Sequence, residues 1–493
     1  MVQVSNLHYA SMETILFQRT SVIATELVLY YATYRFLQSS KMSIGRSRII
    51  FALVVFNAGI ILVDNVHFQY NGMLLGILIL CLDCANRNKH LTLTALFSVL
   101  VLMKHLFAPL ALVFGAYLLN TFCLPLLTSS KKSSVPTIDV VLRFVWRFLN
   151  LAFIAVIALA VAFLPFVLAQ DSTLGLCIPL LPSLFSSTYI CASPLIQIFT
   201  RLFPFGRGLI HAYWAPNVWA LYMALDKALY ALNRRIGFAH ITDMEGNSST
   251  SGLVGDFAFH FLPKITPAVS LLLVVVFISP ALVLLLLRKS QGGTSKKPPS
   301  TLLLRAVVFA SFTSFMLGYH VHEKAILVPL LPATLLVSAD PPILGYDVRN
   351  QARRNALYMQ CAAGGLVGLL PLFHGVQELV LKGLLCFGFL LVVHLILSPV
   401  AKSGYSRLNL VTITVLLAVY FYAEVIHPLV FRSSSGDIHL PFLPLILYST
   451  TCAIVLLSAW VLSAIVLFES ECTEYELVDE QESQNNSQTR KSK

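Results

Sequence analysis

Long apolar segments follow one another along this chain with only short loops between them, and no other feature limits its fold so strongly. A helix needs roughly 20 mostly apolar residues to cross the hydrocarbon core of a bilayer. Segments such as Ile49 to Val66, Phe148 to Ala169, Leu379 to Pro399 and Pro441 to Phe468 meet that need. The chain divides into about thirteen such segments by this measure. Of its 493 residues 57% are hydrophobic and 12% charged, whereas a soluble globule carries roughly 25% charged residues. That balance excludes an ordinary soluble domain. It predicts an all-α polytopic membrane protein with about 13 transmembrane helices.

The net charge is +11, and where the charge sits matters more than its size. One set of loops holds Arg35, Lys41, Arg46 and Arg48; Arg87 and Lys89; Lys131, Lys132, Arg143 and Arg147; Arg288, Lys289, Lys296, Lys297 and Arg305; Arg349, Arg353 and Arg354; and Lys402 and Arg407. The alternate short loops are nearly bare: HFQYN and HGVQE have no Lys or Arg, and KHLFAP and HEK have one each. Positive charge resists translocation, so the rich loops are cytosolic. The basic excess is therefore a topology signal, and no nucleic-acid partner is expected.

This alternation sets the layout. Residues 1–14 form a luminal amino end, 15–169 a module of about six helices, 170–262 a luminal loop, 263–468 a module of about seven helices, and 469–493 a disordered cytosolic tail. The sequon Asn247-Ser248-Ser249 suits a luminal loop. The uncharged stretch 172–198 reads as an insertion. Its Cys177 and Cys191 can pair if the loop meets an oxidising lumen. Cys81 and Cys84 form a CxxC within the apolar run GMLLGILILCLDCA, where a packing role outweighs a redox or metal role. An amino end that faces the lumen without a cleavable signal predicts a further span ahead of Met1.

Four polar patches fall at the luminal edge. They are LVDNVHFQYNG, with Asp64, His67, Gln69, Tyr70 and Asn71; MKHLF, with Lys104 and His105; RLFPFGRGLIHAYWAPNVWALYMALDK, with Arg201, Arg207, His211, Tyr213, Trp214, Asn217 and Trp219; and GYHVHEKAIL, with His320, His322, Glu323 and Lys324. Taken singly, each is explained by interfacial aromatics and snorkelling lysines. A charge at bilayer depth costs roughly 2.5–3.5 kcal/mol on insertion scales, and four patches on one face call for a shared purpose. Arg201, Arg207, Lys104, His105 and Lys324 suit phosphate oxygens. Trp214, Trp219 and Tyr70 offer flat faces for a sugar ring. His67, Gln69, Asn71, His211, Asn217, His320, His322 and Glu323 match sugar hydroxyls. A helix beginning near His322 would carry Glu323 in its first turn, where negative charge is favoured. The luminal segments contain no glycine-rich nucleotide loop and no DxD-like metal pair. The chemistry therefore points to a sugar carried on a lipid phosphate, entering from the bilayer.

HFQYN, RLFPFGRGLIHAYWAPNVWALYMALDK and GYHVHEKAIL together resemble the endoplasmic-reticulum glucosyltransferases that use dolichyl-phosphate glucose. The likeness runs roughly from Leu7 to Ser463, and HAYWAPNVWALY resembles the branch that adds the second glucose. It implies a GT-C fold in the endoplasmic reticulum membrane with a luminal active site, dolichyl-phosphate glucose as donor, and a dolichyl-pyrophosphate oligosaccharide, Glc1Man9GlcNAc2, as acceptor. It also implies an inverting transfer in α-1,3 linkage with no metal and no cofactor. The family's catalytic aspartate lies in a first luminal loop resembling WTLDYPP, which this chain does not contain. The resemblance thus implies that this segment precedes Met1, and that the chain as it stands is inactive unless Asp64 or Glu323 serves as the base. Two other classes fit parts of the sequence, a transporter and a non-catalytic scaffold. A transporter would show internal repeats and mid-membrane ionisable groups, whereas no repeat relates the two halves and the patches lie at one edge.

The topology has a direct check. In a cysteine-depleted background, Gln69→Cys and His322→Cys should react with an impermeant thiol reagent from the same side of sealed microsomes, and Lys296→Cys from the other. Labelling of the first two from opposite sides would refute the arrangement.

Overall fold

The computed structural model describes residues 11–40, 42–124, 137–168, 177–179, 189–191, 198, 208–211, 214–237, 259–287, 300–338, 345–373, 378–398, 404–431, 440 and 442–469. The amino end, the sequon, most of the stretch 172–198 and the carboxyl tail lie outside the described residues.

The described chain is mostly helical. Helix α1 spans Met12–Ser39, with the Ser11 Oγ accepting from the Thr14 amide. Helix α2, Ile44–Val55, is capped by Ser43 in the same way. After a break at Asn57, whose Oδ1 accepts from the Gly59 and Ile60 amides, the span runs on through Ala58–Ile60 into a wide π-helical turn, Ile61–Val66. Helices α3 (Asn71–Asn86), α4 (His90–Met103) and α5 (Leu110–Leu118) complete the first group, and α6 (Thr137–Leu168) lies beyond it. A short antiparallel ladder joins β1 (Cys177–Pro179) to β2 (Tyr189–Cys191), in a register that puts residue 177 opposite 191. Then come α7 (Val218–Ile236), α8 (Pro267–Leu287), α9 (Ser300–Leu317) and α10 (Leu327–Thr334). The last four are α11 (Gly345–Val367), α12 (Leu379–Leu397), α13 (Gly404–Phe421) and α14 (Leu443–Leu467).

Seven of the described helical segments are long and apolar enough to cross a membrane, and four more are apolar but shorter, at 10–17 residues. Two expected spans differ. Ile15 to Leu37 lies within α1, which carries Arg19, Glu26 and Arg35 and is not among the seven. Ala325 to Ser338 is the end of a 3-10 turn, Glu323–Ile326, followed by the eight-residue α10, which contains Pro329 and Pro332. The bundle is graded from centre to rim. The span Val348–Leu372 lies largely inside the bundle, whereas Ile138–Phe166 is largely exposed and turns Trp146, Phe153 and Phe166 outward, as a lipid-facing helix does. Cys81 and Cys84 are buried free thiols on α3.

The two ends of the bundle differ in chemistry. At the end expected to be cytosolic, arginines tie helices together. Arg46 Nε donates to the Val337 carbonyl at 2.8 Å, Arg87 pairs with Asp83 at 2.8 Å, and Arg354 pairs with Glu469 at 2.8 Å. The buried Arg305 donates to the Glu469 carbonyl at 2.6 Å. At the other end meet the end of the α2 span, the start of α3, the end of α4, the end of α9 and the approach to α10. These places carry three of the four polar patches, and residues 208–211 of the remaining one pair with residues 320–323.

Close approach of α1 and α3 rests on Gly76, where an added Cβ would stand 2.8 Å from the Leu29 backbone, while one at Gly115 of α5 would meet nothing within 4 Å. Gly76→Ala should therefore cost about 1–3 kcal/mol through overpacking, and Gly115→Ala should gain up to about 1 kcal/mol in helix propensity. Thermal unfolding of the detergent-solubilised protein should show shifts of opposite sign; shifts of equal sign would contradict this packing.

Candidate functional site

The first half of the site grows from the turn between α2 and α3. The π-helical turn carries Asp64 inward, and the chain reverses through Phe68, held at φ +52°. A non-glycine residue there is uncommon and marks a constrained backbone. Asp64 is fully buried. It accepts from Asn71 Nδ2 at 2.8 Å and from the Gly72 amide. Asn71 Nδ2 also reaches Gln69 Oε1 at 3.0 Å, and its Oδ1 accepts from Lys104 Nζ at 2.7 Å. One amide thus stands between a carboxylate and an ammonium and satisfies both. Tyr70 is exposed, its hydroxyl 2.9 Å from Ser21 Oγ. Behind them Glu26 of α1, itself buried, accepts from Asn65 Nδ2 at 2.9 Å and from the Tyr30 hydroxyl at 3.2 Å.

The second half forms where residues 208–211 run beside residues 318–323. The His320 amide donates to the Leu209 carbonyl at 2.9 Å, Ile210 pairs in parallel with Val321, and His320 Nδ1 lies 3.0 Å from the Gly208 carbonyl. His320 and Trp214 sit at φ +54° and +49°. Glu323 opens the 3-10 turn Glu323–Ile326, so the expected helix start at His322 exists, though its first turn is tighter than α. The Glu323 carboxylate is 1% exposed and meets two imidazoles, His211 Nδ1 at 3.2 Å from Oε1 and His322 Nδ1 against Oε2. The two rings lie 3.9 Å apart at 33°, with His320 edge-on to His211 at 5.6 Å.

Charge links the halves. Burial alone would raise the Glu323 pKa, but the contacts from His211 and His322 outweigh it and hold it at about 2. Burial pushes His322 down against the pull of Glu323, which leaves an anionic carboxylate between imidazoles. Burial also pushes Lys324 down, with Glu323 and Asp64 pulling it up. Lys104 is pushed down by burial and then by Lys324, with Asp64 opposing. Lys104 and Lys324 therefore feel one another, and among the described residues neither forms an ion pair. His67, exposed beside them, is pushed down by burial and by Lys324. The exposed His105 follows Lys104 directly. His211, His322 and Glu323 have donor atoms within 4.8 Å of one another, a spacing that a cation can use; here they engage each other.

The structure corrects several expectations. Trp214 and Trp219 offer no open face: both are buried, Lys227 lies over the Trp214 ring at 5.3 Å, and Trp219 Nε1 donates to the Gly318 carbonyl at 2.9 Å. Asn217 is the cap of α7, its Oδ1 accepting from the Trp219 and Ala220 amides at 3.1 and 3.3 Å. These three residues brace the site. Asp64 and Glu323, the two candidate bases, are both buried, Asp64 against Asn71 and the Gly72 amide and Glu323 against His211 and His322. Glu323 likewise meets imidazoles where a sugar hydroxyl was expected. Arg201, Arg207 and Tyr213 lie outside the described residues. Sequence reasoning missed Glu26, Lys382 and Glu424. Lys382 donates to the Phe373 carbonyl at 2.8 Å and pairs with Glu424 at 2.9 Å, and the Phe373 ring meets His67 edge-on at 6.2 Å. The available signal was an ionisable residue inside an apolar segment.

With this geometry in place, comparison with known proteins is decisive. The model of the ALG6, ALG8 glycosyltransferase family matches residues 1–463. The chain belongs to this family. Among curated relatives, the dolichyl pyrophosphate Glc1Man9GlcNAc2 alpha-1,3-glucosyltransferase of Neurospora crassa is 33% identical over 477 residues, covering 95% of this chain and 83% of the relative. The enzyme of that name from Mus musculus is 32% identical over 470 residues, covering 93% and 80%. The one from Schizosaccharomyces pombe is 31% identical over 455 residues, covering 91% and 79%. This member of the ALG6, ALG8 family is accordingly a hexosyltransferase.

The charge state of Glu323 predicts an acid limit for this family member. A carboxyl lowered from 4.5 to about 2 on folding contributes stability that is full above its unfolded value and is lost as pH falls through the folded one. Melting temperature should therefore decline more steeply from pH ~4.5 towards ~2 in the wild type than in Glu323→Gln. Parallel curves would show that the carboxylate is not held as an anion.

Proposed function

We propose that this chain transfers glucose from dolichyl-phosphate glucose to Glc1Man9GlcNAc2 on dolichyl pyrophosphate. It adds the second glucose in α-1,3 linkage, at the luminal face of the endoplasmic reticulum membrane. The observation that carries this reading is that Lys104, partly buried and held by Asn71 Oδ1 at 2.7 Å, and the partly buried Lys324 form no ion pair among the described residues. Such a pair favours an anion between or beside it, and the surrounding groups, Gln69, Asn71 and the histidines, suit hydroxyl recognition. The names borne by the relatives from Neurospora crassa and Mus musculus support the acceptor and the linkage.

The chemistry follows from where charge develops. The acceptor hydroxyl attacks the anomeric carbon as the bond to the phosphate oxygen breaks, which inverts that carbon. The phosphate leaves as a stable anion and needs no protonation. Ammonium groups fixed beside it stabilise the charge as it grows, and do so best when they are shielded from water. Asn71 keeps Lys104 in place without neutralising it. The acceptor proton passes to a carboxylate as the new bond forms.

Membranes containing the full chain should transfer glucose from dolichyl-phosphate glucose to the Glc1Man9GlcNAc2 lipid and should not use a nucleotide-linked glucose. Lys104→Met should cut turnover about 10²–10³-fold, and Arg207→Ala and His320→Ala should also reduce it, with membrane insertion intact. Solute flux without transfer would replace this reading with a transporter, and unchanged turnover in all three variants would remove these residues from the site.

A further inference from the structure

We infer that Glu323 is a positioning residue, whose buried carboxylate holds the imidazoles of His211 and His322 in one orientation so that the pair faces the donor phosphate ready-set; this rests on the donor reading proposed above. The contact joins residues 112 apart in sequence, one on the segment leading to α7 and one at the turn into α10. Each carboxylate oxygen meets a different ring, and each ring uses the same nitrogen, Nδ1. A ring that donates Nδ1–H to a carboxylate has Nε2 as its basic nitrogen while neutral, so the partner sets both tautomer and direction. His320 obeys the same rule by another route. Its Nδ1 lies 3.0 Å from the Gly208 carbonyl, a group that only accepts, so the proton sits on Nδ1. His211 and His320 thus share one tautomer, and the carboxylate that sets His211 also holds His322 Nδ1 in ion-pair contact. The 3.9 Å ring separation leaves little room for either to turn alone.

The test uses the full chain in detergent and compares the wild type with Glu323→Gln. Deuterium exchange at the imidazole carbon between the ring nitrogens, read by mass spectrometry across pH, gives a titration midpoint for each histidine. The groups acting on His322 are Glu323, His211 and Lys324, and beyond Lys324 lie Lys104 and Asp64. Losing the anion should lower the His322 midpoint. His67 and His105 should not move. Affinity for a short-chain polyprenyl-phosphate glucose should fall about tenfold in Glu323→Gln and recover in part in Glu323→Asp, which keeps the charge. A merely structural glutamate would leave the midpoints in place, and that outcome overturns the assignment. If the midpoints move but the wild type does not bind the donor, the donor reading fails while the hold on the rings stands. If Glu323→Gln lacks the wild-type melting transition, Glu323→Asp serves instead: withdrawing the carboxylate by one methylene should lower the His322 midpoint, and an unchanged midpoint would overturn the inference.

Discussion

A carboxylate buried away from water is tolerated only when charge and hydrogen bonding compensate it, because the desolvation cost is several kcal/mol even after relaxation. Glu323 meets that condition through His211 and His322, and much of the local fold follows. For His211 to reach Glu323, residues 208–211 must lie along residues 318–323. That pairing carries His320 into a left-handed backbone conformation and seats Trp219 on the Gly318 carbonyl. Asn217 then starts α7 while its Nδ2 donates to the Phe315 carbonyl at 3.3 Å. A single buried charge thus fixes the approach of two segments that are remote in sequence.

On the facing side the same problem has a different solution. Asp64 and Lys104 do not pair directly; Asn71 stands between them, donating to one and accepting from the other. A direct ion pair would spend the ammonium on the carboxylate. The amide spacer takes one of the three donors and leaves the net charge in place. Lys324 adds a second cation next to Glu323, and among the described residues neither ammonium is tied into an ion pair, so both remain able to face an anion.

The sequence made the frame legible. Apolar runs located most helices, and the described parts of the patches meet in pairs, Asn71 with Lys104 and residues 208–211 with residues 318–323. Lys104, Lys324, Asn71 and His211 were visible because polar residues clustered in short loops between apolar runs. The roles within the clusters were less legible. Trp214, Trp219 and Asn217 have the composition of a sugar platform, yet the bracing of α7 uses the same residue types, and only long-range contacts to residues 315 and 318 separate the two uses. Glu26, Lys382 and Glu424 went unread for the opposite reason. Each is alone within an apolar stretch, and its partner lies on another helix.

The two ends of the bundle show why this site stands where it does. At the arginine-rich end, charge is consumed by the fold: Arg46, Arg305 and Arg354 are tied to carbonyls or to Glu469. Within the second group of helices, Lys382 and Glu424 cancel each other. At the patch end, the carboxylates are consumed as well, Asp64 by an amide and a backbone N–H, Glu323 by two imidazoles. Among the described residues Lys104 and Lys324 stay outside any ion pair, so their ammonium groups are the charges at this end that a ligand anion, such as the proposed donor phosphate, would meet directly.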